Sequence, residues 1–106
     1  MLPIDAFIAA KTGTCRHYAF VTAYFLDRLQ KEGVLPEGTS YYVRDIVPGG
    51  GHAWNLYILK DESEAWHIDT LWGVNKNLKN KEDLKFLYKF YGIKAINHER
   101  KRFLNL

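Results

Sequence analysis

Residues 52–71 read HAWNLYILKDESEAWHIDTL, and their reading decides the fold. Two runs rich in aromatic and apolar residues flank the polar stretch Lys60–Ser63, which is the pattern of a β-hairpin. His52–Leu59 is the outgoing strand and Glu64–Leu71 the return. Side chains alternate along a strand, so His52, Trp54, Leu56 and Ile58 share one face and Ala53, Asn55, Tyr57 and Leu59 the other. Both faces carry apolar groups, so the sheet is expected to be covered on both sides. A register centred between Lys60 and Asp61 sets His52 opposite Asp69 and Trp54 opposite His67.

Upstream, Ser40–Val47 reads as another strand, ended by Pro48-Gly49-Gly50-Gly51, a tight turn or a flap over a site. Further upstream, Thr14 to Glu32 reads as a helix with Thr14 as N-cap and Gly33 as stop. Its apolar surface is broad enough to predict a helix covered on most sides. Downstream, Leu84, Leu87, Tyr88 and Tyr91 recur at helical spacing, giving a helix over Lys81–Tyr91 with Asn80 and Gly92 as caps. Ile93–Ile96 reads as a short strand, and Asn97–Leu106 shows no pattern. A helix, then a meander, then a helix predicts one α+β domain over residues 1–106, with an antiparallel sheet.

The composition agrees with one globular domain. Of 106 residues, 47% are apolar and 25% charged, which speaks against disorder. The net charge of +3 gives no strong nucleic-acid signal, and the basic residues gathered after position 75 read as a solvated helix face and tail. No apolar run approaches the roughly 20 residues that span a bilayer. Met1–Ala10 is apolar but carries Asp5 and no basic leader. With a lone, unpaired Cys15, this suggests a cytoplasmic protein.

Three residues could carry chemistry. Cys15 falls in the first turn of a helix, where unpaired backbone N–H groups favour thiolate and would lower the thiol's pKa. It is equally a small residue for a core. His52 and Asp69 meet in the hairpin register, and a carboxylate beside an imidazole fixes its tautomer and stabilises its cation. Taken singly, His52 also reads as a structural histidine and Asp69 as a turn cap. Asn55, facing away from His52, reads as a structural hydrogen-bonder, and His17 as a surface or packing residue. Trp54, Trp66 and Trp72 read mostly as core, with Trp54 or Trp72 able to wall a cleft.

The segments Gly13-Thr14-Cys15-Arg16-His17-Tyr18-Ala19, Gly51-His52-Ala53-Trp54-Asn55-Leu56-Tyr57-Ile58 and Trp66-His67-Ile68-Asp69-Thr70-Leu71-Trp72 resemble the transglutaminase-like cysteine superfamily. The pattern is a Gly-x-Cys helix start, a His-Ala-Trp strand, and a Trp-x-x-Asp strand followed by Trp. The resemblance covers residues 13–72 and implies a papain-like core. It implies Cys15 as nucleophile, His52 as base and acid, and Asp69 as the residue that orients His52. Trp54, Trp72, Gly50 and Gly51 are the expected substrate cleft. One departure concerns the oxyanion site beside the Cys15 backbone N–H: no Gln, Asn or Trp stands upstream, only Thr12 and Thr14. A partner or a missing N-terminal segment would then complete it.

These residues predict a cysteine-dependent acyl-transfer enzyme that hydrolyses a peptide or amide bond and needs no cofactor or metal. Its partner is a peptide or protein substrate, with no membrane. On the same residues, an amine acceptor in place of water would make a transglutaminase, and water acting on a side-chain amide a deamidase. A non-catalytic binding module on the same fold is the alternative from another class. A zinc site on Cys15, His52, His67 and Asp69 is a third, without the paired spacing such sites usually show.

Overall fold

The computed structural model describes the chain from Cys15 to Leu106, with side chains from His17 onward. Thr12 and Thr14, the oxyanion and capping candidates, lie outside the described residues, as does the Cys15 side chain. The elements are α1 (Cys15–Lys31), β1 (Gly38–Val47), β2 (Gly50–Leu59), β3 (Ala65–Asp69), β4 (Val74–Asn77), α2 (Lys81–Tyr91) and α3 (Ile93–Leu104). The strands form one antiparallel sheet in the order β1-β2-β3-β4. The chain is thus an α+β protein.

The sheet is covered on both faces, as the two-faced apolar pattern of β2 requires. His52 to Tyr57 are six consecutive buried residues. On one face Trp54 and Leu56 pack with Leu87 and Tyr91 of α2 and Ala95 and Ile96 of α3. On the other, Tyr57, Leu59, Trp66 and Ile68 pack with Leu26 of α1. Fully burying such a side chain stabilises the fold by about 1.5–3 kcal/mol. Gln30 of α1 accepts hydrogen bonds from the Gly38 N–H and the Tyr57 hydroxyl, tying that helix's last turn to the far end of the sheet.

Pro48-Gly49 alone makes the β1–β2 turn, because Gly50 and Gly51 are already paired with Val47 and Ile46. Gly49 and Gly50 hold φ of 99° and 124°, a conformation that L side chains rarely adopt, which accounts for the glycines. The flap reading is corrected: these residues are a hairpin turn and the start of β2. In the β2–β3 hairpin, Asp61 accepts from the Ser63 N–H and hydroxyl. Those two bonds hold the Asp61 carboxyl below its ordinary value.

The structure corrects the expected register by two residues. Leu56 faces His67 and Asn55 faces Ile68, so the hairpin is centred between Asp61 and Glu62. A two-residue shift keeps every side chain on its own face, whereas a one-residue slip would have inverted the strand. Three further expectations change. Val74–Asn77 is a fourth strand that its polar sequence did not announce. Ile93–Ile96 is helix rather than strand, and the helix runs on to Leu104. The reason is Gly92, whose φ of 88° turns the chain in a single residue between two helices. Finally, α1 is covered on one stripe only, Tyr18, Ala19, Thr22 and Leu26, while Phe20, Tyr24 and Phe25 are exposed. One sheet face buries only one side of a helix.

Candidate functional site

His52 is the third residue of β2 and Asp69 the last of β3. In the observed register they are diagonal rather than opposite, and on the same face. Diagonal neighbours lie within reach of long side chains. His52 Nε2 stands 2.6 Å from Asp69 Oδ2, with both side chains nearly fully buried. The same Oδ2 accepts the Tyr91 hydroxyl at 2.6 Å, and Oδ1 accepts the Trp72 backbone N–H at 3.1 Å. Burial, reinforced by Asp69, pushes the Tyr91 phenol far above its ordinary value, so Tyr91 stays a donor. Asp69 is thus fixed from three directions. An imidazole whose Nε2 is committed to a carboxylate has Nδ1 left for exchange of a proton.

The Trp72 ring lies flat on His52, with centroids 3.8 Å apart and planes 14° apart, and it is 40% exposed. It forms the outer wall of the site, not part of the core. Trp54 does not line a cleft: it is 1% exposed, and its indole N–H donates to Glu99 Oε2 at 2.9 Å. Gly50 and Gly51 are exposed at the start of β2, next to His52.

Beneath the first pair lies a second that the sequence reading missed. His67 Nδ1 is 2.9 Å from Glu99 Oε1, and both side chains are fully buried. Glu99 therefore holds His67 with one oxygen and Trp54 with the other. His67 stacks on Trp54 and meets Tyr91 edge-on at 4.3 Å. Two histidine–carboxylate pairs and two aromatic side chains form one continuous network. The signal for Glu99 was an acid on the stripe Ala95, Ile96, Glu99, Phe103, visible only if residues 93–104 are read as helix. His67 and Asp69 share a face but bind different partners, and among the described residues no three metal-ligating side chains converge. Asn55 is 1% exposed, and neither side-chain amide atom has a partner among the described residues.

The direction of α1 places its first residue. Thr22 bonds Thr70, next to Asp69, and Leu26 packs with Tyr57 and Ile68. The helix therefore runs along β2 with its N-terminus at the Asp69 end. Cys15 begins the helix about 10 Å of axial rise before Thr22, at the level where β2 begins. The helix lies on the sheet face opposite the His52 side chain.

Among the described residues no helix is long and apolar enough to cross a membrane. No family model matches the chain, and neither a curated protein nor a solved structure matches it.

Proposed function

We propose that the protein is a cysteine-dependent acyl-transfer enzyme of the transglutaminase-like, papain-like plan, hydrolysing a peptide or amide bond. The observation that carries this reading is the buried His52–Asp69 pair, held at 2.6 Å and braced by Tyr91, at the end of the sheet where the Cys15 helix starts. Cys15 would give its thiol proton to His52 and form a C–S bond to the acyl carbon. The C–N bond then breaks, and the amine leaves with a proton from His52. Water attacks the thioester, giving up a proton to His52 and releasing the acid and the thiol. Asp69 keeps the imidazole in one tautomer and stabilises its cation throughout. The reading requires Cys15 and His52 to meet past the Gly50–Gly51 end of the sheet, since their elements occupy opposite faces.

The covering of His52 by Trp72 favours a second reading, a binding module that keeps the pair for stability alone. Cys15 alkylation by iodoacetamide from about pH 4 to 10, in wild type and His52→Ala, separates the two. The enzyme reading expects a thiolate titrating well below the free value of about 8.5, with a profile that shifts in His52→Ala. An ordinary thiol profile, unchanged by His52→Ala, leaves the binding module standing.

A further inference from the structure

We propose that Arg44 is a specificity residue of the site, holding a substrate carboxylate close to the amide bond that Cys15 attacks. The inference rests on the acyl-transfer reading and adds a substrate class to it. Arg44 pairs with Ala53 across β1 and β2, so its side chain stands on the α1 face of the sheet. The guanidinium reaches diagonally over Gly51: a Cβ added there would stand 3.4 Å from Arg44 Nη2. Gly51 immediately precedes His52, whose side chain leaves the sheet on the other face. The guanidinium therefore lies at the end of the sheet past which Cys15 and His52 have to meet.

A second register brings the start of α1 to the level of Arg44. Phe20 stacks on Tyr42, with ring centroids 5.5 Å apart. Toward the Gly51 end of the sheet, two residues of β1 cover about 7 Å from Tyr42 to Arg44. In the same direction, five residues of α1 cover about 7.5 Å from Phe20 to Cys15. The helix start and Arg44 thus share one level on one face. The cation there is uncommitted. Its neighbours on that face are Ser40, Tyr42 and Ile46 of β1 and Gly51, Ala53 and Asn55 of β2, none of them acidic. Asp27 and Glu32 lie near the far end of α1 and pair with Lys31 and Arg28. Asp45 points to the other face and holds His98. Among the described residues, Arg44 has no carboxylate within ion-pair distance. A guanidinium offers a planar fork of donors that grips a carboxylate through two parallel hydrogen bonds.

The test alkylates Cys15 of the full chain at neutral pH with iodoacetate and with iodoacetamide, reagents that differ by one carboxylate. Both consume the same thiolate, so the ratio of their rates does not depend on the thiol's pKa. Dividing by the ratio for N-acetylcysteinamide removes their intrinsic difference. The corrected ratio is expected to favour iodoacetate by about fivefold, the worth of one opposite charge at contact in water. Arg44→Gln, at an exposed position, is expected to remove most of that excess, and Arg44→Lys to keep part of it. N-iodoacetylglycine and N-iodoacetylglutamic acid α-amide, each against its uncharged amide, carry the carboxylate as a chain terminus and as a side chain. The larger excess names the source. No excess in the wild type, or one that Arg44→Gln leaves unchanged, overturns the proposal. His52→Ala reads the chemistry separately, for it alters the pH profile of both reagents alike and leaves their ratio. An ordinary thiol profile with an Arg44-dependent ratio would sink the acyl-transfer reading and keep the carboxylate site, and the converse would sink the carboxylate site alone.

Discussion

The pairs His52–Asp69 and His67–Glu99 set the same two chemical groups at two depths of one sheet face. Each joins an imidazole nitrogen to a carboxylate oxygen, at 2.6 Å and 2.9 Å. They differ in what surrounds them. The outer pair lies at the end of the sheet under a half-exposed Trp72, with strand and loop partners. The inner pair is sealed between β3 and α3, with Trp54 and Tyr91 packed on it. A pair that is to exchange protons with a substrate needs a route to the surface, whereas a sealed pair can only hold elements together. Under the proposed function, His52–Asp69 is the pair for chemistry and His67–Glu99 the pair for cohesion.

Glu99→Ala breaks the sealed pair and should have the largest effect. It leaves the His67 imidazole and the Trp54 indole N–H without their acceptor in a place water does not reach. Removing one partner of a buried pair costs about 3–5 kcal/mol. Urea unfolding followed by Trp fluorescence should show a loss of that size. A loss under about 1 kcal/mol, the scale of an exposed pair, would mean that Glu99 does not anchor α3.

Asp69→Ala should destabilise less, by about 1–3 kcal/mol, because the donors it frees stand near the sheet's end, where water can replace the carboxylate. It should nonetheless abolish the His52-dependent part of the Cys15 alkylation profile, which Glu99→Ala would leave in any molecules that stay folded. If both variants changed that profile equally, the division between the two pairs would not stand.

The same contrast explains how much of the molecule was legible in its sequence. His52 and Asp69 sit on adjacent strands whose alternation is plain in the sequence, so parity alone put them on one face. The turn's length was not legible, and the register moved by two residues. The side chains still met, since a diagonal pair is within reach. Glu99 was hidden because Gly92 reads as a terminus, and the apolar run after it, Ile93–Ile96, is too short to separate helix from strand. Val74–Asn77 is a strand only because β3 offers it an edge. The exposure of Phe20, Tyr24 and Phe25 was not legible either, for an aromatic-rich helix sequence does not say how many layers will cover it.

Tyr91→Phe tests the link between the two pairs, for Tyr91 donates to Asp69 while its ring packs on His67. Removing a hydrogen bond to a charged group costs about 1.5–3 kcal/mol, and the retained ring should keep the loss near the lower figure. The alkylation profile should shift without losing its dependence on His52, because the freed Oδ2 then serves His52 alone. Loss of that dependence would make the phenol indispensable rather than a brace.

Trp72→Ala should have the smallest effect on stability and the most direct bearing on access. The ring is 40% exposed and contributes one stacked face, so about 1 kcal/mol is expected, within the range for an aromatic pair. Its backbone N–H, which holds Asp69, is untouched by the substitution. What changes is the lid over His52, a residue otherwise 4% exposed. Acylation of His52 by diethyl pyrocarbonate, read by mass spectrometry of its peptide, should speed up severalfold. His98, already exposed, serves as the reference whose rate should not move. His67, sealed beneath Trp54, should stay unmodified in both proteins. Equal acceleration at His52 and His67 would mean that the substitution loosens the whole face. Acceleration at His52 alone would show that one aromatic ring separates the outer pair from solvent.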